Sequence, residues 1–122
     1  SLRGRVLFTS AEPGEDEAAF VKLNDPIAAG ARIRELVSQG FIIRTRADAD
    51  TVEARSGDTT MRDAAIASGA QFVSTDYPVP NPDFGTGYFV AIPGGTPARC
   101  NPVSAPADCT SLDIENPAAL GR

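Results

Sequence analysis

The amino-acid sequence predicts an α/β fold with a parallel β-sheet. Three short apolar runs rich in strand-forming residues alternate along the chain with two segments of helical periodicity. This strand, helix, strand, helix, strand order makes two βαβ units, and the strands of such units pair in parallel. The chain of 122 residues is 42% hydrophobic and 22% charged, which is typical of one small globular domain.

The first predicted strand is RVLFTS (Arg5 to Ser10), and a polar segment follows it. The first predicted helix begins after Asp25, because an aspartate N-cap followed by Pro26 at the first helical position is a typical helix start. Its apolar residues Ile33, Leu36 and Val37 repeat at i, i+3 and i+4, and Gly40 ends the helix.

The same pattern continues along the chain. The second predicted strand is FIIRTRAD (Phe41 to Asp48). Asp58 or Thr59 caps the second helix, which is rich in alanine and ends at Gly69. The third strand is AQFVSTDYP, which is terminated by Pro78 and Pro80.

The remaining sequence is rich in proline and glycine, with one short strand predicted around Tyr88 to Ile92. Parallel sheets have both faces covered, and two helices are too few for that. The sequence therefore predicts the C-terminal part of a larger α/β domain. We assign its last three strands and helices to residues 1–85, and an irregular C-terminal extension of the same domain to residues 86–122.

Charge and hydropathy exclude several classes of function. A net charge of −5 and a pI near 4.6 argue against a nucleic-acid partner, because phosphate backbones are bound by clustered Lys and Arg. No apolar run approaches the length of about 18 residues that a membrane span needs, and no signal-peptide pattern is present. A protein that binds a small ligand fits this composition best.

The two cysteines, Cys100 and Cys109, enclose the loop NPVSAPAD. This loop has no apolar run to pack into a core, so a cross-link would stabilise it. We therefore predict a disulfide and an exported protein, with two free thiols as the alternative. A zinc site is not expected, because the chain has no histidine and only these two thiols.

The carboxyl ends of the strands are the predicted ligand site. Both an eight-stranded barrel and an open doubly wound sheet bind ligands there. Arg44 and Arg46 come late in the second strand, on the same side as Ile42, where two guanidinium groups can fork onto a phosphate. The other residues at these ends are Thr9 and Ser10 after the first strand, Ala47 and Asp48 after the second, and Ser74 to Tyr77 after the third.

Four segments together resemble a known family: AAFVKLNDP, RTRADADTVEAR, TTMRDAAIASGAQFVSTDYP and CNPV. From about Arg3 to Glu115 the chain is similar to the C-terminal part of secreted calcium-dependent phosphoinositide-specific phospholipases C of bacteria and fungi. The resemblance implies a (β/α)8 TIM barrel, with the three predicted strands as its sixth, seventh and eighth. It also implies that the inositol 2-hydroxyl attacks the phosphorus of phosphatidylinositol, which gives a cyclic phosphate and diacylglycerol.

The chain departs from this family at the catalytic residues. The family mechanism uses two histidines as general base and general acid, beside a Ca²⁺ held by Asn, Asp and Glu oxygens, and this chain has no histidine. In the family these groups come from the early strands of the barrel. We therefore expect the catalytic residues and calcium ligands in a missing N-terminal part of the same barrel, and no activity from this chain alone.

Five residues are the predicted substrate contacts. Arg44 or Arg46 would bind the phosphate or an inositol hydroxyl, and Asp48 would accept from an arginine or a sugar hydroxyl. Asp76 and Tyr77 would orient the inositol ring, the tyrosine by stacking. The alternative is a structural network in which Arg46 pairs with Asp48, or Arg44 with Asp76, since an unpaired buried charge is costly.

Two alternative functions remain open from the sequence. One is a glycerophosphodiester phosphodiesterase, whose barrel also ends in a TDYP-like strand. The other is a non-catalytic barrel relative that binds phosphate sugars. For a lipid substrate we also expect a transient contact with the membrane surface.

Overall fold

The computed structural model describes residues 8–10, 18–110 and 114. In this part of the chain, four strands form one parallel sheet in the order β1-β2-β3-β4. The strands are β1 Phe8–Ser10, β2 Ala18–Lys22, β3 Ile42–Arg46 and β4 Phe72–Ser74. The helices are α1 Pro26–Ser38, α2 Val52–Ser56 and α3 Thr60–Ala67, and a 3₁₀ turn spans Pro82–Phe84. The predicted parallel α/β fold is confirmed.

One strand of the sheet was not predicted, and one predicted strand is not formed. Strand β2 has only five residues, AAFVK, and its apolar run is too short to be recognised in the sequence. The short strand predicted around Tyr88 to Ile92 is not formed, because prolines and glycines flank this segment. A single backbone bond, from Val90 N to Tyr77 O at 2.9 Å, joins it to the loop after β4. Residues 5–7 of the first predicted strand lie outside the described residues.

Local capping explains where α1 begins and ends. The Asp25 carboxylate accepts hydrogen bonds from the backbone N–H groups of Ile27 and Ala28, at 3.1 and 3.0 Å. Pro26 occupies the first helical position, and Gly40 takes a positive φ of 93° just past the end. The helix boundaries read from the sequence are therefore confirmed.

Asp58, rather than Thr59, caps α3. Its carboxylate accepts from the hydroxyl of Thr60 at 2.7 Å and from the Thr60 N–H at 2.9 Å, whereas Thr59 makes no side-chain cap. Both hydrogen bonds lower the pKa of Asp58 in the folded state, and the bond from the Thr60 hydroxyl has the larger effect. The stabilisation is therefore present above the unfolded-state pKa and is lost as the pH falls through the lowered value.

The hydrophobic core lies on one face of the sheet. Helices α1 and α3 pack against each other and against β3 on this face. The fully buried core residues are Val21 and Ile43 from the strands and Ile33, Leu36 and Val37 from α1. Burying each of these side chains contributes about 1.5–3 kcal/mol.

The opposite face of the sheet has no helix packed on it within the described residues. Phe20 and Ile42 pair at its amino-terminal end, Phe72 lies beside Arg44, and the rings of Phe20 and Phe72 are 5.9 Å apart. Phe72 is 56% exposed. We call this surface the open face.

The segment after the 3₁₀ turn contains no helix or strand between residues 85 and 110, and side chains bind it to α3. Arg99 donates to the carbonyl oxygen of Ile66 at 2.6 Å, and Asn101 donates to that of Gly69 at 2.7 Å. The predicted disulfide between Cys100 and Cys109 is confirmed, with an S–S distance of 2.01 Å.

Reducing this disulfide should lower the free energy of unfolding by about 2–3 kcal/mol, because it closes a loop with a sequence separation of only 9 residues. Thermal unfolding with and without reductant measures the loss. A variant with both cysteines replaced by serine should melt like the reduced protein. An unchanged melting temperature in reductant would show that the cross-link contributes no stability.

Thr45 on β3 carries the one buried side-chain polar atom without a hydrogen-bond partner among the described residues. We expect Thr45→Val to raise the free energy of unfolding by about 1 kcal/mol, because it removes an unsatisfied hydroxyl from the core. Thr75→Val is the matched control and should destabilise by about 1–3 kcal/mol, since the Thr75 hydroxyl bonds to Asp48. Denaturant unfolding of both variants checks the opposite signs, and a destabilised Thr45→Val would contradict the expectation.

Candidate functional site

Strand β3 presents its two arginines on the open face. Thr45 between them is fully buried on the helix side, and the arginines on either side of it are partly exposed. The guanidinium of Arg44 donates to the Asn24 side-chain oxygen at 2.7 Å, and Arg46 has no side-chain partner within the described residues. The face predicted from strand alternation is confirmed.

The structural ion-pair network considered from the sequence is not formed. Among the described residues, the ion pairs are Arg32 with Glu35 and Arg62 with Asp63, both near the surface. Neither arginine of β3 lies within ion-pair distance of Asp48 or Asp76. The two arginines are therefore partly exposed and have no carboxylate partner within the described residues.

Asp48 joins the ends of β3 and β4. It is only 4% exposed, and its carboxylate accepts from the hydroxyl of Thr75 and from the backbone N–H of Asp76, the latter at 3.1 Å. The hydroxyl of Tyr88 donates to the Ala47 carbonyl oxygen at 3.0 Å and lies 3.4 Å from the Asp48 carboxylate. Burial raises the pKa of Tyr88 well above its ordinary value, and the negative charge of Asp48 raises it further. The phenol therefore stays protonated.

Tyr77 lies between the loops that follow β3 and β4. We call this edge, formed by the carboxyl ends of the strands and the loops after them, the rim. It is 9% exposed, and its hydroxyl donates to the Asp50 carbonyl oxygen at 2.9 Å. Its ring meets that of Tyr88 edge-on at 5.8 Å and packs near Phe84 at 6.2 Å. Aromatic pairs of this kind contribute about 0.5–1.5 kcal/mol beyond their buried area. The cluster therefore fixes the shape of the rim.

Asp76 is exposed, and its carboxylate has no hydrogen bond or ion pair within the described residues. Its backbone is held by Asp48. The sheet register pairs Arg46 with Ser74, two residues before Asp76. The structure thus brings Arg44, Arg46 and Asp76 to one end of the sheet with their charged groups available, while Asp48 and Tyr77 are engaged within the protein. The side chains of Thr9 and Ser10 lie outside the described part.

Three residues of this region were missed from the sequence. Lys22 and Asn24 belong to β2 and the turn after it, which could be placed only once that strand was known. Tyr88 contacts Asp48, which is 40 residues earlier in the chain, and no local sequence pattern predicts such a contact. The proline and glycine around Tyr88 indicated only an irregular segment.

The described residues do not fit a calcium site. Across the ranges 8–10, 18–110 and 114, no three His, Cys, Asp or Glu side chains are grouped so that they could hold a metal ion. The Asp48 carboxylate accepts hydrogen bonds from Thr75 and Asp76, and the Asp76 side chain belongs to no group of metal-binding side chains among the described residues. We therefore assign no chemical step at these residues to a metal.

A parallel sheet with helices packed on one face and two arginines late in β3 defines an α/β protein with charged side chains at the carboxyl end of the sheet. The family model described as "Phosphoinositide phospholipase C, Ca2+-dependent" matches residues 1–102. The chain belongs to this family, and the resemblance seen in the RTRAD and STDYP segments is confirmed. Comparison with curated proteins and with solved structures found no match. None of the helices described has the length and hydropathy of a membrane span.

Proposed function

We propose that this chain supplies substrate contacts in the C-terminal part of a phospholipase C-type (β/α)8 barrel that cleaves phosphatidylinositol. The observation that supports the proposal is the placement of Arg44 and Arg46 on the open face without a carboxylate partner. The chain has 16 acidic residues against 11 basic ones, so carboxylates are in excess. An anionic ligand is the natural partner for guanidinium groups that remain unpaired under these conditions.

In this proposal each charged side chain binds a different part of the inositol phosphate headgroup. Arg46, nearest the strand end, forks onto the phosphodiester oxygens, and Arg44 contacts the phosphate or an inositol hydroxyl. The exposed carboxylate of Asp76 accepts from a ring hydroxyl. Direct contacts by Asp48 and Tyr77 stay predictions, because both side chains are engaged in holding the rim.

An apolar patch on the open face supports a larger domain. Phe20, Ile42 and Phe72 together form an uncovered patch, and a parallel sheet is normally covered on both faces. The remaining strands of the barrel would cover this patch. They would also carry the histidines that serve as general base and acid and the oxygen ligands of Ca²⁺, which when bound stabilises the charge developing on the phosphate. The disulfide supports an exported protein.

Two exposed valines at the rim support a transient contact with the lipid surface. Val52 begins α2 and is 64% exposed, and Val79 lies between two prolines after β4 and is 68% exposed. Both follow the carboxyl ends of strands, where the substrate would enter. Inserting one valine into a lipid layer contributes about 1.5 kcal/mol, roughly tenfold in affinity.

We expect Val79→Ser in the complete protein to reduce sedimentation with phosphatidylinositol vesicles by up to about tenfold. Val52→Ser should give a similar loss, since Val52 is similarly exposed and also follows the carboxyl end of a strand. Unchanged sedimentation of both variants would show that the valines do not contact the lipid surface.

The choice of substrate tests the proposed function. The complete protein is incubated with phosphatidylinositol vesicles and, separately, with glycerophosphocholine, and the products are separated. Diacylglycerol together with cyclic inositol phosphate is the expected result. Glycerol phosphate released from the second substrate alone would indicate a glycerophosphodiester phosphodiesterase. Binding of headgroup without turnover of either substrate would indicate a non-catalytic relative.

A further inference from the structure

A cavity of about 580 Å³ lies between α3, β4 and the segment that follows β4. Val73 lines it from the sheet, on the helix side, because Val73 is paired in the register with the fully buried Thr45. Ile66 of α3 lines a second wall, and Val90 and Ile92 line a third. Small-ligand sites are typically mostly apolar cavities of about 300–1,000 Å³, so both the volume and the walls suit a small ligand.

Residues 91–98, which we call the strap, form the outer wall of this cavity. The hydrogen bonds within the strap are local, such as the one from the Gly95 N–H to the Ile92 carbonyl oxygen at 2.8 Å. In the described part of the chain, no hydrogen bond joins the strap to α3 or to the sheet. Gly94 and Gly95 both have positive φ values, 95° and 75°. The outer wall can therefore move to admit a ligand without breaking a hydrogen bond to the rest of the fold.

Arg99 is the only charged residue among the described residues that line the cavity. Its guanidinium donates to the carbonyl oxygen of Ile66 at 2.6 Å, which fixes the group beside the last turn of α3. Within the described residues its other N–H donors have no partner, and no aspartate or glutamate lines the cavity. The chain as a whole has 16 acidic residues against 11 basic ones. An apolar cavity with one available guanidinium is complementary to an apolar molecule that carries one carboxylate.

We infer that this cavity binds a medium-chain fatty acid. Arg99 donates two N–H groups to the carboxylate, a planar group that matches the guanidinium fork. The acyl chain lies along Ile66, Val73 and Val90. A single flexible chain suits a cavity that is closed on its outer side by the movable strap. The arginines of β3 do not line this cavity, so the inference goes beyond the proposed function and does not depend on it.

An NMR titration of the full 122-residue chain with octanoate, decanoate and octanol, each below its micelle-forming concentration, tests the site. We expect decanoate to bind about tenfold more tightly than octanoate, because it buries two more CH₂ groups. Octanol has the same chain length as octanoate but no charge. It should bind about tenfold to a hundredfold more weakly than octanoate, the size of one charge-assisted hydrogen bond.

Three variants separate the charge from the apolar walls. Arg99→Gln should remove the preference for octanoate over octanol, while octanol still binds. Arg34→Gln is the matched control, because Arg34 donates to the carbonyl oxygen of Ala67 on α3 at 2.9 Å but does not line the cavity. It should lose a similar hydrogen bond and keep the preference. Ala98→Trp places a large ring on the strap and should abolish binding of all three probes.

The Arg99 Nε–H signal of the wild-type chain gives a readout that does not depend on a folded variant. This signal should shift with octanoate and stay in place with octanol, and the Arg34 signal should stay in place with both.

The remaining outcomes overturn the fatty-acid site. It is wrong if octanol binds as tightly as octanoate, if Arg99→Gln keeps the preference, or if the Arg99 signal does not shift with octanoate. It is also wrong if the complete protein binds no octanoate while the 122-residue chain does, because the rest of the barrel would then fill the cavity. The proposed function stands in each of these cases, since it depends on the arginines of β3.

Discussion

Replacing Arg46 by alanine in the complete protein should lower kcat/KM by about one to three orders of magnitude, the scale of losing a charge-assisted contact in the transition state. Arg46 has no side-chain partner in the described part of the chain, so its removal leaves no group unsatisfied there. The free energy of unfolding should therefore change little. Steady-state kinetics on phosphatidylinositol and denaturant unfolding measure the two effects separately.

Two further variants sharpen this prediction. Arg46→Lys keeps the charge but loses the planar fork, so it should recover only part of the activity. Arg32→Ala, which lies on α1 in an exposed pair with Glu35, should retain full activity. Near wild-type activity of Arg46→Ala together with a clear loss of stability would make Arg46 a structural residue and contradict its role in substrate binding.

Gly69→Ala should lower the free energy of unfolding by about 2–5 kcal/mol, the sum of two effects. Gly69 has a positive φ of 85°, which costs a residue with a side chain about 1–2 kcal/mol. A methyl group there would also overlap a methyl carbon of Val103, in the loop closed by the disulfide. Overpacking of this kind costs about 1–3 kcal/mol. Denaturant unfolding measures the loss.

Gly30→Ala is the matched control. Gly30 lies inside α1, where an added methyl group meets nothing within 4 Å and φ is not positive. This change should stabilise the protein by about 0.5–1 kcal/mol through helix propensity. If Gly69→Ala proved as harmless as Gly30→Ala, the close packing of the disulfide loop on the end of α3 would be wrong.

The features that the sequence predicts correctly are those with a local physical cause. Asp25 and Pro26 begin α1 and Gly40 follows its end because capping depends on only a few neighbouring residues. The side of β3 that carries Arg44 and Arg46 follows from alternation within five residues. The disulfide follows from a short loop without core-forming residues.

The missed features depend on contacts between distant parts of the chain. Strand β2 is defined by its pairing with β1 and β3, which an isolated AAFVK segment does not reveal. Lys22 could not be assigned to the open face without that strand. Tyr88 was assigned to a strand, but its position is set by hydrogen bonds to Ala47 and Asp48 some forty residues earlier. Asp48 was expected to meet ligand, and its burial against Thr75 could not be read from local sequence.

The most direct measurement of the anion-binding face is a nitrogen NMR titration of the arginine Nε–H groups of this chain with glycerophosphoinositol. The signals of Arg44 and Arg46 should shift together and saturate at one affinity, while those of Arg32 and Arg34 on α1 stay in place. If the two β3 signals stay in place as the probe is added, or move no more than those of α1, the open face is not the phosphate site.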